Sequence, residues 1–297
     1  MISIIGAGRV GSALGFLIAA TSLDDLVLVN RSKNKAVGEA LDITNTIPQG
    51  SSISVIGTDD FESIKGSKVI AITANRGEIK TDRTDLLIHN IPLIKEISGS
   101  LKKYADDAKI VIVTNPVDVV TYCTLKETGF RREDVIGMGS SLDSARFRYL
   151  LAKMLGENQS LVEGIVLGEH GVSMVPIFST AKFDGKEIRL DNRQIAEITT
   201  EVRNYWKYLR EFKEASVFGA AKNTFDIIKA IVNNEKLHVP ASVLLNGEYG
   251  LKDVCLGVPL AIGKGGVDKI EEIKLEKSEL ESLTKSAKTI TSNIISI

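Results

Sequence analysis

The stretch Gly164 to Phe178 (GIVLGEHGVSMVPIF) sets His170 between Gly168 and Gly171, directly after the apolar run Ile165-Val166-Leu167. That pattern predicts a buried strand delivering an imidazole at its end, where glycines let backbone or ligand come close. A neutral imidazole so placed can take and return a proton near neutral pH. A core histidine satisfied by one hydrogen bond has the same local signature. A second pair, Asp143 and Arg146, lies in SSLDSARFRYLLAKML (Ser140 to Leu155); three apart, the two share one face of a helix. Read alone, the pair is either a surface ion pair worth little or a buried aspartate orienting a histidine, with a guanidinium beside it to clamp a carboxylate.

A third constellation opens the chain. The β-branched run at residues 2–5 leads straight into Gly6-Ala7-Gly8-Arg9-Val10-Gly11, after which Val10, Ala13, Leu14, Leu17 and Ile18 recur at helical spacing. Strand, glycine turn and helix form the context in which GxGxxG binds a dinucleotide. Gly6 allows the tight turn, Gly8 lets backbone approach a pyrophosphate, and Gly11 lets helix and strand pack closely, with the diphosphate on the helix N-terminus. The second strand, Leu26 to Val29, ends at Asn30-Arg31-Ser32. An acidic residue expected there to accept the ribose hydroxyls is absent. Arg31 and Ser32 could bind a 2′-phosphate instead, so the reading favours NADP over NAD.

These residues need a scaffold. A helix (Lys35 to Asp42) and strands at Ser52 to Gly57, Lys68 to Ala74, Lys109 to Thr114 and Asp134 to Met138 bring the total to six strands with helices between them, the doubly wound plan. Ligands bind such sheets beyond the carboxyl ends of the strands. Thr73, Ala74 and Asn75, Asn90 on the next helix, and Thr114 and Asn115 are therefore expected around the cofactor. The loop NRGEIKTDR carries three cations, Arg76, Lys80 and Arg83, and suits a lid. Pro92 must kink the helix that follows or restart it. The first 139 residues are expected to form the dinucleotide-binding domain and 140–297 a substrate domain. The latter holds a long amphipathic helix (Asp191 to Phe212) and a hairpin turning near Gly263 to Gly266. It ends in a helix from Ser278 to Ile295, with Ser278 and Glu281 as its capping box.

Composition narrows the function classes. At 297 residues, 43% hydrophobic and 25% charged, the chain is globular in character. A formal net charge of -1 makes no electrostatic case for nucleic acid or an anionic membrane. Cys123 and Cys255 have apolar neighbours and no metal-ligand spacing, so buried free thiols in a reducing compartment are expected, with no metal site. With no apolar run of membrane-spanning length and no basic leader, the expected location is cytoplasmic.

Five motifs in order, GAGRVG at Gly6, TNPVD at Thr114, LDSAR at Leu142, GEHG at Gly168 and GEYGLKDVCLGVP at Gly247, resemble the lactate/malate dehydrogenase superfamily, especially its archaeal malate dehydrogenases. The resemblance runs the length of the chain. It implies a Rossmann-type α/β fold, a doubly wound parallel sheet, with a C-terminal α+β catalytic domain. It also implies hydride transfer between a nicotinamide cofactor and a 2-hydroxy acid. On this resemblance His170 is the proton donor and acceptor, Asp143 its orienting partner, and Arg146 the clamp on the substrate C1 carboxylate. Arg83 is the lid arginine, Asn115 a donor to the reacting oxygen, and Ser216 a replacement for a pocket threonine. Arg76 or Lys80 would read a second carboxylate, which makes malate the expected substrate and lactate the alternative. A homodimer or homotetramer is implied as well. The chain departs from the family at the lid, at Asn75, at Val172 and at Ala220. Two other classes compete: a non-catalytic dinucleotide-binding protein, and an NAD-dependent glycosidase on a related fold, which would need a metal held by cysteine and histidine.

Overall fold

The structure, a computed structural model, describes residues 1–76 and 83–295, and of Arg83 the backbone only. Six short strands run parallel: β1 (Ile2–Ile5), β2 (Leu26–Val29), β3 (Val55–Thr58), β4 (Val69–Ile72), β5 (Lys109–Ile112) and β6 (Val135–Gly137). Every residue of β1, β2 and β4 is buried, which is why these segments read as unbroken apolar runs rather than alternating ones. Helices α1 (Arg9–Ala20), α2 (Lys33–Thr44), α3 (Leu87–Tyr104) and α4 (Val117–Thr128) connect them. The strand order β6-β5-β4-β1-β2-β3 reverses at β1, with Ile4 paired to Leu28 on one side and Ala71 on the other. The reversal opens a crevice beyond the carboxyl ends of β1 and β4.

After β6 the chain forms α5 (Gly139–Leu155), then a three-stranded antiparallel sheet of β7 (Val162–Leu167), β8 (Val175–Phe183) and β9 (Lys186–Glu187). Helices α6 (Asn192–Phe212) and α7 (Phe218–Asn233) follow, then β10 (Leu237–Asn246), β11 (Lys252–Gly263), β12 (Gly266–Ile270) and α8 (Lys277–Ile295). The last three strands do not stand apart. β10 pairs antiparallel with β6 through Ser242 and Gly137, so a single nine-stranded sheet runs from β12 to β3. Gly137 permits the junction, since a Cβ there would lie 2.9 Å from that of Ser242. A smaller core of Phe147, Leu151, Val166, Met174, Ile198 and Val202 locks α5 and α6 onto the three-stranded sheet. Phe147 meets Phe178 edge to face at 5.1 Å.

Pro92 lies in the second turn of α3, inside the helix rather than at its start. Three local expectations change. The third strand begins at Val55 rather than Ser52, because the Ser54 N–H and hydroxyl bond the Asp25 carboxylate. The capping of α8 shifts by two residues: Glu279 accepts from the Glu276 N–H at 3.0 Å, so the Ser278/Glu281 box is replaced. β10 was not foreseen, since Pro240 and His238 break up its strand pattern. Both cysteines are buried free thiols, and among the described residues no helix is long and apolar enough to cross a membrane.

Candidate active site

The glycine turn is built by close contacts. Gly6 sits at φ +116, and a Cβ there would come within 2.5 Å of the Ala74 nitrogen. A Cβ on Gly11 would lie 2.0 Å from the Gly6 oxygen. Gly8, which caps α1, differs: nothing lies within 4 Å of its missing Cβ, and no side chain caps the helix. The first-turn amides of α1 therefore face open space, as a diphosphate requires. Nearby, the buried Asn115 Oδ1 has no hydrogen-bond partner. An open helix N-terminus and a polar atom left for a ligand are what a nicotinamide dinucleotide would use, so the residues present fit such a cofactor.

A cavity of about 800 Å³ runs from this turn to the second catalytic constellation, past Arg9, Asn75, Asn115, Arg146, His170 and Arg210. Nδ1 of His170 is 2.6 Å from Asp143 Oδ2. Arg146 Nη1 lies 3.3 Å from the other oxygen of the same carboxylate. All three side chains are buried, Asp143 completely. With Nδ1–H donated to Asp143, the lone pair of His170 sits on Nε2. Arg146 stacks on Tyr205 of α6, 5.1 Å from the ring centroid. Burial pulls the Arg146 pKa down while Asp143 and Tyr205 push it back, and a guanidinium remains charged throughout.

Three consecutive amides fix the histidine loop to three different elements. The Gly168 N–H bonds the Gly257 carbonyl of β11 at 2.9 Å, the Glu169 N–H bonds Ser286 of α8 at 2.8 Å, and the His170 N–H bonds Asp118 of α4 at 2.8 Å. Glu169 closes the loop by accepting from the backbone and hydroxyl of Ser173. Ser144 of α5 accepts from the Val166 N–H, which ties Asp143's helix to the strand that carries His170. Gly139 clears the ring: a Cβ there would fall 2.5 Å from His170 Cβ. Asp118 is buried, and burial pushes its carboxyl up to about 7; the His170 amide and Ser242 pull against that, while Glu169 and Asp143 add to it. Among the described residues no group of three or more His, Cys, Asp or Glu side chains is arranged to hold a metal ion.

The other expected residues are placed as follows. Val10 and Ser216 line the cavity. Arg9 also lines it, paired with Glu214 across the mouth. Thr73 and Thr114 turn their hydroxyls to the carbonyls of Gly6 and Ala74, both at 2.7 Å, and so hold the strand ends rather than reach outward. Asn90 is corrected from a cofactor contact to a strut. It is fully buried, donates to Asn75 Oδ1 and the Asn115 carbonyl, and accepts from the Arg76 amide, so its hydrogen bonds face protein. The Arg76 side chain turns to Glu96 on α3 at 3.0 Å and does not line the cavity. Asn30 donates to the Ser32 carbonyl, with Arg31 exposed beside it. Lys80 and the Arg83 side chain lie outside the described residues.

Comparison with known families decides what this arrangement belongs to. The lactate/malate dehydrogenase NAD-binding domain matches residues 1–137, and the alpha/beta C-terminal domain of the same enzymes matches 140–297. The chain belongs to the lactate/malate dehydrogenase family. A malate dehydrogenase from Staphylococcus carnosus is 38% identical over 97% of this chain and 95% of its own length. One from Aeropyrum pernix is 35% identical over 98% and 96%. The lactate dehydrogenase of Cryptosporidium parvum, solved with lactic acid and nicotinamide adenine dinucleotide, superposes with a TM-score of 0.96 at 33% identity, covering 99% of this chain and 96% of that one.

Several residues of this dehydrogenase-family site escaped sequence reasoning. Tyr205, Trp206, Leu209 and Arg210 come from α6, which sequence reasoning read only as a long amphipathic helix. Ser286 lies on the C-terminal helix, for which sequence reasoning supplied only bounds and a capping box. Asp118 stood inside the TNPVD motif without a role. None of these carries a local signal, because each acts across more than 30 residues of chain. Of the departures from the family, Ala220 lines the cavity and Asn75 holds Asn90, while exposed Val172 is unexplained by anything around it.

Proposed function

We propose that this chain is a nicotinamide-dependent malate dehydrogenase, interconverting (S)-malate and oxaloacetate. The observation that carries this reading is the 2.6 Å His170–Asp143 pair with Arg146 beside it, at the far end of the cavity that opens on the glycine turn. When bound, the dinucleotide supplies the hydride acceptor or donor. In the oxidation direction His170 takes the hydroxyl proton at Nε2, and Asp143 stabilises the imidazolium that forms. In reduction His170 returns that proton. Arg146 holds the C1 carboxylate bidentately and the Asn115 side chain binds the reacting oxygen, to which the family resemblance assigns Arg83 as well. Ser216 and Val10 shape the pocket walls. Residues 1–139 hold the cofactor on Gly6, Gly8 and Gly11, and 140–297 carry the acid/base apparatus.

A second carboxylate distinguishes oxaloacetate from pyruvate and needs its own cation. Arg76 faces Glu96, so Arg210, which lines the cavity, and Lys80 of the lid are the groups assigned to it. Lactate is the second reading, since a lactate dehydrogenase is among the structures this chain resembles at full length. NADP is favoured over NAD because Asn30 offers no charge to repel a 2′-phosphate and Arg31 stands exposed beside it. Exposed Phe16 and Leu41, on the contacting helices α1 and α2, suit contact between copies in a homo-oligomer.

Initial rates with oxaloacetate and pyruvate, each with NADH and NADPH, test all of this together. Fastest turnover is expected for oxaloacetate with NADPH, abolished in His170→Ala. No turnover with any 2-oxo acid would remove the enzyme reading, and dinucleotide binding without turnover would favour a non-catalytic binding protein.

A further inference from the structure

We infer that Asp118 is a positioning residue for the acid/base step: its carboxyl group holds the main chain of His170 in place and, when ionised, adds a second negative charge at this histidine that favours the protonated ring. The inference rests on the dehydrogenase reading above. Asp118 is the second residue of α4, only 3% exposed, and its Oδ2 accepts the His170 N–H at 2.8 Å. Its Oδ1 and the buried Ser242 hydroxyl on β10 make no hydrogen bond of good geometry, although Ser242 lies close enough to help hold the carboxylate form. A backbone N–H does not need a charge to satisfy it. The two amides before it in this same loop bond a neutral carbonyl and a neutral hydroxyl. Ionising a half-satisfied carboxyl in the core is costly. What a carboxylate can add over those neutral acceptors, once ionised, is a negative charge at the His170 main chain.

The groups around it bear this out. Asp143, with Arg146 behind it, faces from α5; Glu169 lies on the histidine loop; Ser242 comes from β10 and the neutral thiol of Cys255 from β11. The one guanidinium in this set is already engaged by Asp143. The imidazolium formed during oxidation is the positive charge assigned here to Asp118, through the bond that fixes the same residue's main chain. Its carboxyl, pushed up to about 7 by burial, changes charge in the pH range where an imidazole titrates.

The chain's three histidines make the test direct, because His89 and His238 are exposed and serve as internal references. Asp118→Asn keeps the acceptor and the shape but removes the charge; Asp118→Ala removes both. The ring resonances are followed by NMR against pH in the full-length protein, with kcat and KM measured alongside. In Asp118→Asn the His170 midpoint is expected to fall by about one pH unit while the references stay put. In Asp118→Ala the same fall should come with a kcat loss of roughly 10–100-fold and little change in KM, since Arg146 is untouched. A His170 midpoint that stays or rises in Asp118→Asn overturns the electrostatic part. Equal kcat in the two variants overturns the positioning part. If Asp118→Ala does not fold while Asp118→Asn does, the need for an acceptor at 118 is confirmed and the isosteric variant decides the charge. Loss of all wild-type turnover would sink the dehydrogenase reading instead, and the ring titration would still decide Asp118.

Discussion

Replacing Gly139 by alanine puts one methyl group against the acid/base residue without touching its chemistry. The new Cβ would lie 2.5 Å from His170 Cβ, 2.6 Å from its Cγ and 2.7 Å from a Val117 methyl. Contact of carbon atoms becomes comfortable near 3.4 Å, so the ring must retreat by about 0.9 Å. A retreat along the 2.6 Å bond to Asp143 would stretch it to about 3.5 Å, the edge of hydrogen-bonding range. A misplacement near ~1 Å costs roughly 10²-fold in turnover, or about 2.7 kcal/mol of barrier. The overpacking itself costs about 1–3 kcal/mol of stability. In a chain of this size that corresponds to a melting temperature lower by roughly 2–5 °C. Steady-state oxaloacetate reduction, calorimetry and cofactor titration separate these effects. The variant should remain folded at 25 °C and bind cofactor through the distant glycine turn, while kcat falls. A folded Gly139→Ala protein with kcat within about threefold of wild type would show that this contact does not position the ring.

Three other perturbations address separate parts of the site. Arg210→Gln should lower kcat/KM for oxaloacetate about 10–100-fold and leave pyruvate nearly unchanged, from the loss of one charge-assisted hydrogen bond; parallel rates with the two substrates measure it. Arg31→Ala should raise KM for NADPH by roughly tenfold or more and leave NADH unaffected, a comparison that also exposes NAD preference if neither moves. Asp118 makes stability depend on pH. Its folded-state pKa of about 7 lies above the usual 3.8, so between these values the native state holds a proton that the unfolded chain has released. Stability from this group is therefore lost as pH rises from about 4 to 7 and stays level above that, by on the order of 4 kcal/mol in full. Asp118→Asn removes the dependence, and melting curves from pH 5 to 8 should show the variant gaining on the wild type as pH rises.

The amino-acid sequence determined a good deal unaided. Local chemistry was enough wherever neighbouring residues carry the signal. The glycine turn, the apolar parallel strands, the shared face of Asp143 and Arg146, and the strand leading into His170 were all legible in short windows. Their cause is backbone sterics and hydrophobic period, which act within a few residues. Only the tertiary structure decided what those residues do to one another. It brought Asp143 to 2.6 Å from a histidine 27 positions away, tied the His170 amide to Asp118 52 positions back, and set Ser286 under Glu169 from 117 positions on. It also turned Arg76 toward Glu96 and enclosed Asn90 among backbone groups, which no spacing rule foretells. Contacts across such separations depend on how whole elements pack. In one dimension a buried aspartate that orients a histidine and a solvated surface carboxylate look the same; burial and geometry tell them apart.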